Sequence, residues 1–354
     1  MDHAVVMAGG SGTRFWPESR AGRSKQFLDL TGRGPMIVET VRRLRPLFPR
    51  ENVWIVAGEK DAPHVNARVL GIPRGNVLLE PEGRNTAPAM ALAVARIALA
   101  DPDAVVAATP ADHAVRDGRN YRRTLRKGLR LARRTGRFVV LGITPSHAAT
   151  GYGYIERGKP FGPRGDRIYD VRKFTEKPDL AAARRFVRSG RYDWNSGVFL
   201  VRVSAFRDSL ERHLPSVHSE IGKAFRIFGT KAFRGKLAAA YRRLPSVSVD
   251  YGILEKEDGI LVIPAEFGWS DLGTWRSLHE FIGKPADNVA FGNVILSDCR
   301  GSLVRSDSGV VAVIGMQDVV VVRSGDAVLV CPRSRSEEVK RIAEEVRRGF
   351  PALA

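Results

Sequence analysis

The sequence predicts an α/β fold, a doubly wound and mainly parallel sheet, followed by a small β-rich C-terminal domain. Three observations lead there. Short apolar strand-like runs alternate with helical patterns from His3 to Ile143. A glycine-rich turn follows the first of those runs at once. From Asn288 to Pro332 the chain changes to short valine-rich segments punctuated by Gly, Asp and Ser. Apolar strands alternating with helices imply a parallel sheet buried on both faces.

Each element has its own signal. His3–Met7 is a short apolar strand, and residues 52–57 and 76–80 are the next two. Between the first two, Ile37, Val41 and Leu44 share one face of a helix predicted over 36–47. Asn85 and Pro88 read as a helix start, with a cap-type residue and proline in the first turn, and the alanine-rich stretch continues it to Ala100. Strands follow at 104–110 and 138–143, with a helix between them. In that helix Tyr121, Leu125, Leu129 and Ala132 recur at helical spacing, opposite Arg122, Arg126, Arg130 and Arg133. After Thr144, segments 151–156 and 168–178 are shorter and alternating, fit to extend the sheet or form a flap. A helix over 179–188, a strand over 197–201 and three helical stretches between 203 and 243 come next. A terminal helix runs over 335–349, so two domains are expected, 1–283 and 284–354.

Composition narrows the function classes. Lysine and arginine number 57 against 38 acids, a formal charge of +19, while hydrophobic residues make up 44%. That apolar content excludes whole-chain disorder, and no apolar run approaches the ~18 residues of a membrane span. The opening residues show no basic leader ahead of a long apolar stretch, so a cytoplasmic location is expected. Two cysteines, Cys299 and Cys331, cannot build a disulfide framework. The basic residues are spread along the whole chain and accompany no nucleic-acid-binding signature, which makes them a solvated surface rather than a specific nucleic-acid site.

The strongest chemical signal is Ala8-Gly9-Gly10-Ser11-Gly12-Thr13, with Arg14, Pro17 and Lys25 close behind. Glycines after a strand let backbone N–H groups approach an anion, and Arg14 and Lys25 add fixed positive charge. The order of glycines matches neither a Walker A loop nor GxGxxG. In Thr109-Pro110-Ala111-Asp112-His113, Asp112 falls just past a buried strand, where open parallel sheets place ligands. A carboxylate there suits Mg²⁺, though capping a helix is the competing use.

The segment GGSGTRFWPESR…KQF resembles the signature of sugar-1-phosphate nucleotidylyltransferases, and of mannose-1-phosphate guanylyltransferases in particular. Seven further blocks carry the resemblance along almost the whole chain: LLEPEGRNTAPA (78–89), TPADH (109–113), TGYGYIE (150–156), FTEKPD (174–179), WNSGVF (194–199), SVDYGILEK (248–256) and FGWSDLGTW (267–275). The pair Phe15-Trp16 and the run GRNTAPA favour the guanylyl branch.

The resemblance implies an enzyme that transfers GMP from GTP to α-D-mannose 1-phosphate, giving GDP-mannose and pyrophosphate by Mg²⁺-assisted direct displacement. It implies Arg14, Lys25, Asp112 and Asp271 as catalytic residues, with Asp112 and Asp271 reaching the same metal. Residues 8–13, with Glu80, Arg84, Asn85, Thr86 and Pro110, would face the nucleotide. A carboxylate such as Glu80 suits the N1–H and N2–H₂ donors of guanine. Gly151, Glu176, Lys177, Asn195 and Asp271 would face the sugar phosphate, with Lys177 on the phosphate. Taken singly, Glu176-Lys177 would be a solvated surface pair and Asn85 or Thr86 a helix cap. Trp194, Trp269 and Trp275 read as core. Alternatives are a guanylyltransferase for a heptose or fucose 1-phosphate, or a non-catalytic basic nucleotide- or polyanion-binding protein. Longer family members carry a phosphomannose isomerase module. This chain ends before one and has no His-rich cluster, so no isomerase activity is expected, whereas a homodimer through the β-rich tail is.

Overall fold

The computed structural model describes residues 1–350 except Ser11, Ala21 and Arg164, so Ser11 of the glycine-rich loop lies outside the described residues. Contacts divide the chain into two compact units. The first comprises Met1–Gly9, Val41–Ala111 and Val115–Trp269, and the second Gly10–Thr40, Asp112–Ala114 and Ser270–Ala354.

In chain order the strands are β1 (Asp2–Ala8), β2 (Val53–Gly58), β3 (Val77–Glu80), β4 (Val105–Pro110), β5 (Ala114–Val115) and β6 (Val139–Ile143). Then come β7 (Tyr154–Pro160), β8 (Tyr169–Thr175), β9 (Tyr192–Arg202), β10 (Leu261–Ala265) and β11 (Trp269–Ser270). The C-terminal strands are β12 (Val289–Phe291), β13 (Val294–Ser297), β14 (Leu303–Ser306), β15 (Val311–Ile314), β16 (Val319–Ser324) and β17 (Ala327–Pro332).

In the first unit nine strands form one sheet, ordered β3-β2-β1-β4-β9-β6-β10-β8-β7. The expected parallel pairing holds for β3-β2-β1-β4 and for β6–β10. The sheet as a whole is mixed, because β9 runs antiparallel between β4 and β6, and β7 and β8 add antiparallel strands. The reason lies in the connections: a parallel neighbour needs a crossover, whereas β7 and β8 follow each other as antiparallel ribbons. The core of this unit gathers Val5, Val106, Met90, Ala93, Phe206 and Tyr241. Helix Gly118–Thr135 buries Tyr121, Leu125, Leu129 and Ala132 and exposes Arg126, Arg130 and Arg133, as its spacing predicts, whereas Arg122 is half-buried because its guanidinium donates to the Arg43 carbonyl. The three helical stretches are Val203–His213, Pro215–Phe225 and Phe233–Arg243. No helix among the described residues is long and apolar enough to cross a membrane.

In the second unit the chain alternates between two small sheets, β12-β14-β16-β17 and β13-β15. The pairings β12–β14, β14–β16 and β13–β15 are parallel, so each turn of chain adds a strand to one sheet and then the other, a β-helix-like coil. Gly292 (φ +79°) makes one corner, where a Cβ would lie 1.9 Å from the Ser306 carbonyl oxygen. The same unit's core combines Phe15, Trp16, Leu28 and Leu30 with Trp275, Leu303, Val320 and Leu329.

Candidate active site

In the second unit Gly12 adopts φ +60°, and a Cβ there would fall 2.3 Å from the Cβ of Lys25. Glycine is therefore required for the loop to close onto the start of the Lys25–Phe27 turn. Ser19 Oγ donates to the Gly12 carbonyl at 2.7 Å, and the Phe15 N–H does so at 3.0 Å. These bonds fix the loop from inside.

Lys25 is 5% exposed, and its Nζ donates to Asp112 Oδ2 at 2.8 Å and to the Asp271 carbonyl oxygen. Three segments far apart in sequence thus meet at one ammonium. Phe15 lies beneath it, 5.9 Å from ring centre to Nζ, and packs edge-on against Trp275 at 4.8 Å. Burial opposes the charge on Asp112, but Lys25 and His113 outweigh it and hold the carboxyl below its ordinary pKa. Asp271 Oδ1 accepts the Gly273 N–H at 3.1 Å across Leu272, whose φ of +44° is a strained value for a branched side chain. Asp112 and Asp271 are the two carboxylates that the sequence expectation assigns to a cation. No group of three or more His, Cys, Asp or Glu side chains suited to a metal exists among the described residues. Two carboxylates fit Mg²⁺, which keeps waters and takes the rest of its shell from phosphate oxygens.

Arg14 is half-exposed and pairs through Nε with Glu337 at 3.1 Å. Of the other loop residues, Gly9 and Gly10 are exposed, Thr13 is half-buried and opens a short turn (Thr13–Phe15), and Ala8 is buried at the end of β1. Pro110 ends β4, half-buried.

In the first unit two predicted clusters become one. Asn85 caps the helix Thr86–Ala98 through its Oδ1, as its residue type predicts, but at φ 68°, ψ −173°, a region normally reserved for glycine. The Val247 N–H donates to the Arg84 carbonyl, the Ala87 N–H to the Val247 carbonyl, and the Val249 N–H to Thr86 Oγ1. Arg84 itself is held by Glu82 at 2.9 Å and the Arg242 carbonyl. Glu80 is 7% exposed and has one carboxylate oxygen buried without a hydrogen-bond partner. Burial raises its pKa to about 7, against a hydrogen bond from Tyr241.

Residues 247–249 lead directly to Asp250, which opens a π-helical turn (Asp250–Leu254), a geometry common at functional sites. Asn195 Nδ2 donates to Asp250 Oδ1 at 2.9 Å, while Asn195 Oδ1 accepts the Gly197 N–H. Burial first, and the charge of Glu176 second, raise the Asp250 pKa to about 6. Lys177 Nζ donates to Glu176 Oε1 at 2.7 Å, and the Glu176 N–H to Glu255 Oε1 at 3.1 Å. Burial pulls the Lys177 pKa down, but Glu176 more than restores it and the net direction is upward. Lys177 has φ +46°. Positive φ at Asn85, Lys177 and Leu272 thus marks three of the sequence-predicted blocks with backbone strain.

Sequence reasoning missed Asp250, Glu255 and Gly153. The two acids lie within SVDYGILEK, where an acid in a block of resemblance was the available signal. Gly153, rather than Gly151, is the glycine packed under the cluster. A Cβ on it would sit 2.4 Å from Glu176 Oε2, whereas a Cβ on Gly151 would meet nothing within 4 Å. Trp194 and Trp275 are buried as expected, and Trp269 is half-buried against Tyr152.

Residues 3–287 match the Nucleotidyl transferase family, and residues 292–346 match the MannoseP isomerase/GMP-like beta-helix domain. Fold and site therefore define a nucleotidyltransferase. A mannose-1-phosphate guanylyltransferase of Escherichia coli K12 is 37% identical over 98% of this chain and 73% of its own length. One from Sinorhizobium fredii is 39% identical over 97% of this chain and 67% of its own. A crystal structure from Thermus thermophilus, described as a mannose-1-phosphate geranyltransferase, has a TM-score of 0.89 at 36% identity. It covers 98% of this chain and 99% of that one. The chain belongs to the mannose-1-phosphate guanylyltransferase family.

Proposed function

We propose that this chain transfers GMP from GTP to α-D-mannose 1-phosphate, with residues 1–283 carrying the chemistry and 284–354 supporting it. An oxygen of the sugar phosphate attacks the α-phosphorus of GTP, the bond from that phosphorus to the bridging oxygen breaks, and pyrophosphate leaves. The nucleophile is already anionic, so no Ser, Cys or His is required, and the barrier is repulsion between anions plus charge gathering on the leaving group. Arg14, Lys25 and the main-chain N–H groups of residues 8–13 counter that charge. Asp112 and Asp271 would hold Mg²⁺, which when bound supplies further neutralisation of the phosphates.

Glu80 accepts donors of the guanine edge, and Arg84, Asn85, Thr86 and Pro110 shape the nucleotide side. Lys177 binds the sugar phosphate, while Glu176, Asn195 and Gly151 face the sugar hydroxyls. The observation that carries this reading is the meeting of Lys25, Asp112 and Asp271 at one buried ammonium. Binding alone needs no such convergence of a carboxylate and a distant main-chain carbonyl on a buried cation. Pyrophosphate release with GTP, Mg²⁺ and mannose 1-phosphate tests it, with heptose and fucose 1-phosphates as competing substrates.

A homodimer belongs to the same proposal. Ile295, Ile314, Val328 and Val330 of the tail are all more than half exposed, an apolar set that a second copy would cover.

A further inference from the structure

Arg305, on β14 of the β-rich tail, spends its guanidinium on residues nearly the whole chain away. Its Nε donates to Glu18 Oε1 at 2.6 Å, its Nη2 to the Asp29 carbonyl at 2.8 Å and its Nη1 to the Leu30 carbonyl at 3.1 Å. The side chain is 12% exposed and lies against the Phe291 ring, 4.6 Å from its centre. Every nitrogen of the fork is therefore used, and none serves the tail itself.

All three acceptors belong to the segment that carries the glycine-rich motif. Glu18 is 8% exposed. Its own N–H donates to the Phe15 carbonyl, and its neighbour Ser19 holds the Gly12 carbonyl. Gly12 in turn rests on Lys25. Asp29 and Leu30 follow Lys25 by four and five residues. The guanidinium thus grips the segment on both sides of Lys25. Two further ties run the same way: Arg20 Nη2 donates to the Ser324 carbonyl at 2.6 Å, and Arg14 pairs with Glu337.

We propose that Arg305 is a positioning residue for the phosphate-binding segment, and that the tail contributes to catalysis by holding residues 12–30 in the shape that presents Arg14 and Lys25. The inference rests on the reading above that these two cations act on the nucleotide. Only arginine suits the position. A planar fork meets one carboxylate and two carbonyls at fixed angles, whereas lysine offers a single point of charge. Loss of the grip displaces groups away from the reacting atoms, an effect that costs up to roughly a hundredfold in rate.

The test uses the full chain with Arg305→Lys and Glu18→Gln. Glutamine keeps the oxygen that accepts from Arg305, so Glu18→Gln should retain most activity. Arg305→Lys should lower kcat by roughly ten- to a hundredfold and raise the KM for GTP, with the KM for mannose 1-phosphate unchanged. Hydrogen exchange read by mass spectrometry should show faster exchange in residues 12–20 of Arg305→Lys, with protection of β1, β2 and β4 unaltered. Unchanged exchange in that segment overturns the positioning role, whatever the chemistry proves to be. Equal losses toward both substrates, or loosening of the whole chain, also overturn it in favour of general structural support. Absence of pyrophosphate release from the unaltered protein would instead overturn the proposed reaction, while the exchange data still decide the role of Arg305.

Discussion

Asn195 Nδ2 sits 2.9 Å from Asp250 Oδ1, so the amide proposed to read the sugar is itself oriented by a carboxylate 55 residues further on. With Asn195 Oδ1 taken by the Gly197 N–H, the side-chain plane is fixed. Asp250→Ala removes the acceptor and leaves the Asn195 amide without the partner that orients it. The expected result is a KM for mannose 1-phosphate raised roughly tenfold, with the KM for GTP unaltered, read by steady-state kinetics with each substrate varied.

Glu80 predicts a pH dependence with two signs. Its folded-state pKa of about 7 lies above the unfolded value of 4.5, so folding favours the protonated acid. The contribution of Glu80 to stability is highest below about pH 4.5, declines as pH rises to about 7, and is flat beyond. The total decline is on the order of 3 kcal/mol. Glu80→Gln should therefore melt higher than the unaltered protein at pH 8 and no higher at pH 4.5. Guanine recognition runs the other way, because only the ionised carboxylate can accept both donors of the guanine edge at once. GTP affinity should fall as pH drops below about 7, and Glu80→Gln should abolish that dependence while weakening GTP use roughly tenfold. Melting curves and GTP KM values across pH 5–8 check both signs.

The two aspartates that meet at Lys25 are alike in turnover and separate in stability. Each is expected to cost on the order of a hundredfold in turnover when changed to Asn, by loss of an anionic oxygen for the metal. Asp112→Asn also strips a buried ammonium of its counter-charge, a loss worth ~3–5 kcal/mol in buried pairs. Asp271 serves Lys25 through its main-chain carbonyl, which Asp271→Asn leaves in place. Denaturant titration should show Asp112→Asn clearly destabilised and Asp271→Asn close to the unaltered protein.

The lysines divide by step. Lys25→Ala should lower kcat, since charge builds on the departing pyrophosphate as the reaction proceeds. Lys177 is mostly exposed and should meet the sugar phosphate. Lys177→Ala should raise the KM for mannose 1-phosphate by roughly ten- to a hundredfold. A changed GTP KM with a normal sugar-phosphate KM in Lys177→Ala would reverse the two roles.

Much of this was legible in local pattern. The strands β1, β2, β3, β4 and β6 announce themselves as apolar runs, and the helices Val203–His213, Pro215–Phe225 and Phe233–Arg243 by their periodicity. Strand β9 extends from Tyr192, five residues before the expected start at Gly197. Asp193 and Asn195 read as loop residues and enter the sheet only because tertiary pairing, of Asp193 with β7 and of Asn195 with β6, overrides their propensity. The importance of Gly153 depends on Glu176 lying over it, and that of Glu18 on an arginine 287 positions later. Such relations exist only once the chain has folded, and no window of sequence contains them.

The most direct measurement is the rate of pyrophosphate release by the purified chain with GTP, Mg²⁺ and mannose 1-phosphate, beside reactions lacking the sugar phosphate or containing ATP, UTP or dTTP. The account predicts release that requires mannose 1-phosphate and Mg²⁺, prefers GTP, and yields GDP-mannose in equal amount. Release of pyrophosphate without the sugar phosphate, or no release under any of these conditions, would contradict it.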